Sequence, residues 1–595
     1  MALKKSYFLK RVIANTKDFG TVRQRIKKSN RIYLGIILCW VFCLIYFNPK
    51  LFAILNETDS FTTKTFFVIF VFFLNIFWLY GIFHFFFLVY KIFPKKQFAP
   101  DKIAHFPSVA ILYTTRNDFQ KKAVLSCVKQ SYPNFHVYIL DDSTDETFKA
   151  KIDHFHHAYT QQTTVIRRDD RRGYKAGNLN NALRNHANGH EYFAVIDADE
   201  VIPSDFLNKL IPYFGQDETI AFVQAHHEQN PQQPSKFAKD LSVGINFHWD
   251  VYQPPRNHHG FVIFYGHGAV IRRHVWEKVG GFPEIVSEDL AFSTRIRQLG
   301  YRGYFVREVT CYEDFPETYY QFRKRHEKWV QGACEYLQYE FLPFILSKRV
   351  TFAEKLDVSM STFILFIPAI FLLYIFIANA VLPMLLAEKH TLSITLFGQT
   401  FNLMSAYFME PRFEKVWTFD FYLITLIGMF SPVFCYFGSI FSRPGKIITL
   451  LFKSAVPYIS LILVCMCGIV SYLFTRKAVF HTTGDKTDGC ISLWGCEGGR
   501  SLKQLNSNHP LIFHLEWLLG LTLTYFSFKT MNFALLTISS CLILSPVIAR
   551  FGWDSKAVSV LVTIPLFFVL LAFGCMGMGF LGIQGFSLYF LAFHF

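Results

Sequence analysis

Charged residues are scarce in this chain. Asp, Glu, Lys and Arg make up 17% of its 595 residues, whereas hydrophobic residues make up 52%. Long apolar runs lie only towards the two ends of the chain and span 32–47, 66–93, 363–386, 421–441, 458–474, 511–526, 533–548 and 558–581. A helix of roughly 20 apolar residues crosses the hydrocarbon core of a membrane. This distribution excludes a purely soluble protein and predicts a multi-pass membrane protein with one soluble domain inserted after the second span.

Acidic residues are almost absent from the N-terminal segment. Residues 1–31 contain ten Lys and Arg but a single acid, Asp18. Basic residues beside the first span stay in the cytoplasm, so we expect a cytoplasmic soluble domain in an integral plasma (inner) membrane protein. The segment also lacks the small-residue cleavage site of a signal peptide. Much of the net charge of +16 lies beside spans, where it attracts anionic lipid headgroups, and this argues against nucleic-acid binding.

Cysteine pairs with the spacing of a zinc site are also missing. Of the twelve cysteines, seven lie in apolar runs, where Cys behaves as a small apolar residue: Cys39, Cys43, Cys435, Cys465, Cys467, Cys541 and Cys575. Cys490 and Cys496 share a polar loop, but no second pair completes a zinc framework. A disulfide between them would require this loop to face an oxidising compartment. The cysteine pattern therefore predicts no metal framework.

The middle of the chain alternates short strand-like runs with helical stretches. The runs, rich in β-branched and aromatic residues, are 108–114, 135–140, 164–168, 193–196 and 219–224. Such alternation is typical of an α/β layered domain with a mainly parallel sheet. Ligands of open sheets of this type bind at the carboxyl ends of the strands. The residues that follow these runs are therefore the first candidates for a functional site.

Carboxylates follow two of these runs. Asp141 and Asp142 end one, and Asp197 and Asp199 end another. Buried carboxylates are costly unless they are paired or hold a metal. Residues two apart in an extended strand point to the same face, so the second pair predicts a hard-oxygen site for Mg²⁺ or Mn²⁺. An isolated Asp-x-Asp pair is weak evidence, and its position at a strand end is what strengthens this prediction.

Cations and amides lie close to these acids in the sequence. In 167–183, Gly173 and Gly177 flank Lys175 just ahead of a helical stretch. That arrangement suits a diphosphate, although a solvated loop is the simpler explanation for a charged segment. Together with the carboxylates, the segment suggests a nucleotide-sugar donor.

Two later segments each have a functional and a structural explanation. In 316–336, the spacing of Arg325, Lys328 and Trp329 places them on one helical face. These residues would hold a phosphate beside a stacked sugar. The structural alternative is an amphipathic helix that lies near the membrane. Glu288 and Asp289 open a helix, where acids are stabilised by the helix dipole. The functional alternative is a general base that takes a proton from a sugar hydroxyl.

In combination, these motifs resemble the processive, membrane-embedded family 2 glycosyltransferases, which include cellulose, curdlan and hyaluronan synthases. The resemblance covers about residues 105–345 in detail. It rests on the ordered elements DDST (141–144), DAD (197–199), VQ (223–224), FYGHGAVIRR (264–273) and SED (287–289). It implies an α/β GT-A-type cytoplasmic glycosyltransferase domain inserted in a polytopic α-helical transmembrane domain.

The resemblance also implies roles for single positions. Asp289, with Glu288 beside it, is the expected catalytic base, and Asp197 and Asp199 are the expected ligands of Mg²⁺ or Mn²⁺. Contacts to the donor are expected from Thr114, Arg116, Asp141, Asp142, Lys175, Asp197, Arg325 and Lys328. Contacts to the acceptor are expected from Phe264, Tyr265, Gly266, His267 and Trp329.

One element departs from the family pattern. The family's Gln-x-x-Arg-Trp element falls on 325–329, where Arg325 replaces Gln and Lys328 replaces Arg, while Trp329 is kept. Lys offers positive charge to a diphosphate but not the bidentate fork of Arg. The substitution leaves the diphosphate contact and the identity of the polymer open.

A second element resembles the gating loop that closes over the donor in cellulose synthases. It lies at 479–486, with Phe480, Thr483 and Lys486 as the matching residue types and the Lys displaced by one position. Such a loop must be cytoplasmic to reach the donor. We therefore expect one apolar stretch within 447–474 to lie in the membrane interface or to re-enter.

The expected organisation has six segments. They are a basic cytoplasmic N-terminus (1–31), two transmembrane helices (32–93), a GT-A glycosyltransferase domain (98–345), interface and transmembrane helices (346–474), a gating-like loop (475–508) and C-terminal transmembrane helices (509–595).

We expect a processive inverting enzyme that polymerises a β-glycan, above all a β-glucan such as cellulose, from a UDP-sugar, with UDP-glucose favoured. Its partners would be the donor, the growing polysaccharide and membrane lipids, with accessory export subunits or a homo-oligomer left open. The alternative enzyme is a non-processive lipid-acceptor glycosyltransferase of the glucosylceramide or polyprenyl-phosphate type. A transporter would need charges in its spans, which the late runs nearly lack. A structural protein would not need chemically competent residues at every motif position.

Overall fold

The computed structural model describes residues 28–100, 105–386, 388–396, 399–408, 444–478, 508–530 and 535–571, together with scattered residues between 418 and 431. Two apolar helices come first, α1 (Arg31–Ala53) and α2 (Phe61–Ile92). A 3-10 turn, Ile54–Glu57, separates them, and the side chain of Ser60 caps α2 by accepting a hydrogen bond from Thr63 N. Both helices are long and apolar enough to cross a membrane.

A seven-stranded mixed sheet is the centre of the soluble domain. Its strands are β1 (Val109–Thr115), β2 (Phe135–Asp141), β3 (Thr163–Arg167), β4 (Tyr192–Asp197), β5 (Ile220–Gln229), β6 (Ala269–Arg272) and β7 (Arg302–Glu313). They lie in the order β3-β2-β1-β4-β6-β5-β7. Strand β6 runs antiparallel to β4 and β5, and the other neighbouring pairs are parallel. The predicted α/β domain with a mainly parallel sheet is confirmed, with β6 as an antiparallel strand that the sequence pattern did not reveal.

Helices cover both faces of this sheet. They are α3 (Lys121–Val128), α4 (Glu146–Ala158), α5 (Tyr174–Asn185), α6 (Phe206–Leu210), α7 (Pro212–Gln216), α8 (Lys236–Phe247), α9 (Gln253–Arg256), α10 (Arg273–Val279) and α11 (Glu288–Gln298), with a π turn, His248–Tyr252, between α8 and α9. On β1, Val109 and Ile111 belong to one buried cluster, and Ala110 and Leu112 belong to another. Burial on both faces explains why β1 is an uninterrupted apolar run.

An amphipathic helix and then a series of more apolar helices follow the sheet. They are α12 (Tyr319–Tyr336), α13 (Leu342–Leu346), α14 (Phe352–Phe363), α15 (Ile367–Phe376), α16 (Leu382–Leu386), α17 (Pro444–Thr475), α18 (Pro510–Lys529), α19 (Leu535–Phe551) and α20 (Lys556–Leu561). Among the described residues, five helices are long and apolar enough to cross a membrane: Arg31–Asn56, Phe61–Ile92, Phe352–Leu386, Phe452–Thr475 and Pro510–Lys529. These are the helices of a multi-pass membrane protein. Most of the predicted run 421–441 lies outside the described part of the chain.

Two features of this region differ from a plain series of spans. A two-stranded antiparallel sheet, β8 (Glu388–Leu396) with β9 (Gln399–Phe408), lies in the segment expected to be helical. Helix α17 is continuous through Pro457, whose carbonyl accepts a hydrogen bond from Ser460 Oγ at 2.8 Å. Whether a part of α17 lies in the membrane interface therefore stays a prediction.

Buried polar contacts join α12 to the membrane helices. Arg323 and Glu516 are both fully buried, and Arg323 Nη1 donates to Glu516 Oε1 at 2.7 Å. The hydroxyl of Tyr319 lies 2.7 Å from Ser460 Oγ in α17 and 2.7 Å from Ser545 Oγ in α19. A charge buried this deeply is tolerated only when it is closely paired. These contacts fix α12 against α17 and α18, which are long enough to cross a membrane, and against the shorter apolar helix α19.

A second buried ion pair holds the segment that leads to β6. Arg256 Nε and Nη2 donate to the two carboxylate oxygens of Asp357 in α14, each at 3.0 Å, and both side chains are at most 3% exposed. Asp357 Oδ2 also accepts the backbone N–H of Phe261 at 2.8 Å. Arg256 Nη1 donates to the hydroxyl of Tyr265 at 3.1 Å. One carboxylate of a membrane helix therefore positions both the backbone and a side chain of the soluble domain.

Candidate active site

A cavity of about 1620 Å³ opens at the carboxyl edge of the sheet. One end is lined by the residues that follow β1 and β4, by the start of α11 and by one face of α12. The other end continues between the membrane helices, where Phe371, Ile375 and Ile538 line it. Ligands of open α/β sheets bind at this edge, so the cavity is the candidate active site.

The cavity collects most of the residues singled out in the sequence: Thr114, Arg116, Asp142, Lys175, Asp197, Asp199, Tyr265, Gly266, His267, Glu288, Asp289, Arg325, Lys328 and Trp329. Two others do not line it. Asp141 is buried and accepts an ion pair from Arg167 Nε at 2.7 Å, and Phe264 lies in the core of the domain. Phe480, Thr483 and Lys486 lie outside the described residues. The cavity brings the other residues together, but the roles of all of them stay predictions.

The register of the sheet sets Asp197 beside the end of β1. Thr114 and Asp197 are paired across β1 and β4, and Thr114 Oγ1 donates to Asp197 Oδ1 at 3.0 Å. The Lys175 ammonium donates to the same oxygen. Burial alone would raise the pKa of Asp197, but the charge of Lys175 lowers it to about 2. Asp197 is therefore an anion at neutral pH.

Asp199 does not continue the extended strand, which differs from the sequence prediction. Strand β4 ends at Asp197 and the chain turns there, because Glu200 N donates to Asp197 O at 3.1 Å. Asp199 nevertheless lines the same cavity, and its carboxylate makes no hydrogen bond or ion pair with the described residues. Burial and the charge of Asp197 raise the pKa of Asp199 well above its usual value. A divalent cation fits here, since it would compensate two neighbouring carboxylates with its preferred oxygen ligands.

Lys175 enters the cavity from the first turn of α5. Gly173 precedes the helix with a φ of +76°, a left-handed conformation that favours glycine and lets the chain turn sharply into α5. Burial alone would lower the pKa of Lys175, but the carboxylates of Asp197 and Glu288 raise it. A stable ammonium thus lies beside the N-terminus of a helix, where unpaired backbone N–H groups favour a phosphate.

Glu288 and Asp289 form the first turn of α11, as the sequence predicts. Asp289 Oδ1 accepts the backbone N–H of Leu290 at 2.7 Å. Burial, followed by the charge of Asp289, raises the pKa of Glu288 to about 7. Burial also raises the pKa of Asp289, against the opposing hydrogen bond from Leu290 and the charges of Lys175 and Lys328. Carboxyl groups with raised pKa values in a cavity are typical of acid–base sites, whereas a simple helix cap would be stabilised as an anion.

Gly266 borders the cavity opposite Asp289. A Cβ atom placed on Gly266 would lie 3.8 Å from Lys175 Nζ and 3.9 Å from Asp289 Oδ2, and the φ of +88° disfavours a side chain there. A side chain would therefore fill the space between the ammonium and the carboxylate. The neighbouring Tyr265 is fixed by the hydrogen bond from Arg256.

One face of α12 forms the opposite wall of the cavity. The pKa of Lys328 is lowered from its usual value, because burial outweighs the opposing effect of the carboxylates of α11. The ring of Trp329 is 41% exposed, and the Arg325 guanidinium lies 4.8 Å from its centroid. Helix α12 approaches α11 closely because Gly332 has no side chain: a Cβ atom there would lie 2.5 Å from Ser287 Oγ. The contact places a cation and an aromatic ring beside the two carboxyl groups.

Other residues of the cavity were not predicted from the sequence. Glu313 and Asp314 line it where β7 ends. The rule that acids at strand ends mark a site would have found both, had residues 302–313 been recognised as a strand. Trp249 also lines the cavity from the π turn, and no sequence signal indicated it.

Residues 192–392 match a family model described as Glycosyl transferase family group 2. The matched segment begins with β4 and includes both Asp197 and Asp199, the start of α11 and the whole of α12. It therefore covers one side of the cavity, while the contacts from β1 and α5 precede it.

The chain is also similar to curated plant proteins. It is 28% identical over 235 residues to "Probable glucomannan 4-beta-mannosyltransferase 10" of Arabidopsis thaliana, covering 38% of this chain and 43% of that protein. It is 27% identical over 272 residues to "Probable glucomannan 4-beta-mannosyltransferase 6" of Oryza sativa subsp. japonica, covering 44% and 47%. The chain thus spans about half the length of these relatives.

Among solved structures, the chain is similar to the mannosyltransferase PcManGT from Pyrobaculum calidifontis in complex with GDP-Man and Mn²⁺. The TM-score is 0.39 and the sequence identity is 21%. The match covers 53% of this chain and 86% of that one.

Proposed function

We propose that this chain, which contains a family group 2 glycosyltransferase domain, is an inverting glycosyltransferase that extends a β-glycan from a nucleotide-sugar donor at a membrane. The observation that supports this most is the cavity. Asp289, Lys175 and the carboxylates of Asp197 and Asp199 all line it, and it continues between the membrane helices.

Asp289 is the proposed general base. It would accept the proton of an acceptor hydroxyl while the hydroxyl oxygen attacks the anomeric carbon of the donor and the bond to the diphosphate breaks. A single displacement inverts the configuration, so an α-linked donor gives a β-linked product. Burial raises the pKa of Asp289 towards the range in which a base is most effective at neutral pH.

Positive charge would stabilise the diphosphate leaving group from two sides. Lys175 reaches the cavity from α5, and Lys328 reaches it from α12. Asp197 and Asp199 would hold Mg²⁺ or Mn²⁺, which supplies further positive charge to the leaving group when bound. Charge placed in advance where it develops during the reaction is usually a large part of catalysis.

We propose a polymer as product because the cavity does not end at the carboxylates. Its lining also includes Tyr458, together with Phe371 and Asn379 of the helix Phe352–Leu386. Aromatic rings offer flat apolar faces to sugar rings, so a growing chain would leave along this path. The basic segment 1–31 supports a cytoplasmic soluble domain in a plasma (inner) membrane, with the product leaving on the far side.

A second candidate acceptor is a lipid. The membrane end of the cavity is lined by apolar side chains, among them Ile375, Leu461 and Ile538. These would also bury an acyl or prenyl chain. The product would then be a single-sugar glycolipid rather than a polymer.

Membranes that contain the full chain separate these candidates. They would be given labelled UDP-glucose, the donor favoured by the sequence, or GDP-mannose, because both plant relatives are described as mannosyltransferases. UDP-N-acetylglucosamine serves as the third donor. Every donor is tested with Mg²⁺ and with Mn²⁺. We expect one donor to give an alcohol-insoluble product that a linkage-specific β-glycosidase degrades. A solvent-extractable product with one sugar would instead favour the lipid acceptor, and no transfer from any sugar nucleotide that binds would contradict the proposed activity.

The pH dependence of this transfer should respond to Lys328. Asp289 must be deprotonated to act as a base, so kcat/KM falls as pH drops through its pKa. The charge of Lys328 lowers that pKa, and Lys328→Gln should therefore raise it and move the acid limb of the pH profile to higher pH. Lys324→Gln, on the same helix but not lining the cavity, is the matched control. An acid limb that stays in place in Lys328→Gln would exclude Asp289 as the titrating base.

A further inference from the structure

Behind the end of β4 lies a cluster of metal-ligating side chains that the proposed reaction does not use. Glu200, His227 and Cys311 each offer one ligand atom, and these atoms lie within 4.8 Å of one another. All three residues are fully buried, and none of them lines the active-site cavity. The cluster is therefore distinct from the carboxylates of Asp197 and Asp199.

The sheet itself brings the three ligands together. His227 on β5 and Cys311 on β7 are register partners of a parallel pair, so their side chains lie next to each other on the same face. Glu200 follows β4, and its Oε1 atom lies 3.6 Å from His227 Nε2. Ligand atoms of a tetrahedral zinc ion lie roughly 3.4 Å apart, given bonds of about 2.0–2.3 Å.

Two buried polar atoms of the cluster lack hydrogen bonds to the described residues, although each lies within 4.0 Å of an oppositely charged or titratable group, Glu200 Oε1 near His227 Nε2 and His227 Nδ1 near Glu313 Oε2. Glu200 Oε1 and His227 Nδ1 have no hydrogen-bond partner among the described residues. The other carboxylate oxygen of Glu200 is engaged, since it accepts the backbone N–H of Asp197 at 3.3 Å and lies 3.3 Å from His267 Nδ1. A buried carboxylate oxygen without a partner carries a large desolvation cost, which a cation would offset.

The backbone at Gly268 lies directly against the converging ligand atoms. Gly268 has a φ of +61°, and a Cβ atom there would overlap His227 Nε2 and lie 2.6 Å from Glu200 Oε1. Any side chain at this position would close the space between the imidazole and the carboxylate.

We propose that Glu200, His227 and Cys311 bind a structural zinc ion, with His267 as the fourth donor within reach. Carboxylate, imidazole and thiolate are all ligands that zinc accepts, and a thiolate in the set disfavours Mg²⁺ and Mn²⁺. Glu200, His227 and Cys311 are fully buried, as ligands of structural rather than catalytic zinc usually are. Binding displaces the thiol proton of Cys311 to solvent. The ion would tie β4, β5 and β7 together directly behind the donor site.

Metal analysis of the full chain tests this proposal independently of the proposed function. Purified in detergent without added divalent cations, the wild type should retain about one zinc per chain. Asp199→Asn, which removes a proposed magnesium or manganese ligand, should retain the same amount. His227→Gln and Cys311→Ser should lose most of the zinc, whereas Cys334→Ser, a half-buried cysteine of α12, should not.

X-ray absorption spectroscopy at the zinc edge needs only the wild-type protein. Its result therefore does not depend on how well a variant folds. We expect one sulfur at about 2.3 Å and lighter ligands at about 2.0–2.1 Å. A cobalt-loaded protein should likewise show a thiolate-to-metal charge-transfer band that Cys311→Ser abolishes. Absence of zinc from the wild type, zinc without a sulfur ligand, or zinc that is unaffected by Cys311→Ser would each overturn the proposal.

Discussion

Asp289→Asn is expected to lower kcat for sugar transfer by about 1000-fold, a typical loss when a positioned general base is removed. Asn has nearly the same shape and can still accept the backbone N–H of Leu290, which now binds Asp289 Oδ1. It cannot accept the hydroxyl proton of the acceptor. The KM for the donor should change little, because Asp197, Lys175 and Thr114 remain in place. Initial rates with the donor identified in membranes, together with titration of the free nucleotide, measure the two effects separately.

The matched control for Asp289→Asn is Glu317→Gln. Glu317 is a carboxylate at the exposed rim of the same cavity, so this substitution removes a charge without touching the carboxyl pair of α11. We expect it to change kcat by less than about twofold, since surface charges act weakly. If Asp289→Asn retained more than a tenth of the wild-type rate, Asp289 would not be the base, and Glu288 would be the next residue to test.

Asp357→Ala is expected to cost about 3–5 kcal/mol of the free energy of unfolding, because it leaves the buried guanidinium of Arg256 without its partner. The backbone N–H of Phe261 would lose its acceptor at the same time. The loss should appear as a lower melting temperature of the detergent-solubilised protein. Because Arg256 also positions Tyr265, transfer activity should fall at temperatures at which the variant is still folded.

The exposed ion pair of Arg307 and Asp250 provides the comparison. Its atoms are 2.8 Å apart, but the side chains are 50% and 26% exposed, so Asp250→Ala should cost at most about 1 kcal/mol. The double variant Arg256→Met with Asp357→Leu should recover much of the stability, since it removes both buried charges. Equal melting temperatures for Asp357→Ala and Asp250→Ala would show that burial of the first pair does not matter.

The parts of the fold that the sequence predicted are those with a strong local signal. Strands β1, β2 and β4 are apolar runs because both faces of the sheet are covered, and their bounds lie within about two residues of the predictions. Strand β6 has four residues and the pair β8–β9 has no run of its own, so neither could be recognised. Their positions depend on neighbours that are distant in the sequence.

The same distinction holds for the site. Asp197 was found from its strand end, and Trp329 from helical spacing, because each rule needs only a short segment. The turn that carries Asp199 out of the strand depends on a backbone hydrogen bond, which no spacing indicates. The cluster of Glu200, His227 and Cys311 was missed for a stronger reason. Its members come from β5, β7 and the turn after β4, whereas the sequence patterns of zinc sites consist of ligands close together in the chain.

The ion pair of Arg323 and Glu516 bears on whether the proposed catalytic domain can be separated from the membrane helices. A soluble fragment that ended before α12 would lose Lys328 and Trp329, and with them one wall of the cavity. A fragment that kept α12 but not α18 would remove the carboxylate of Glu516 from the fully buried guanidinium of Arg323. Neither fragment would keep the proposed site intact. The proposed active site and the membrane helices therefore form one structural unit.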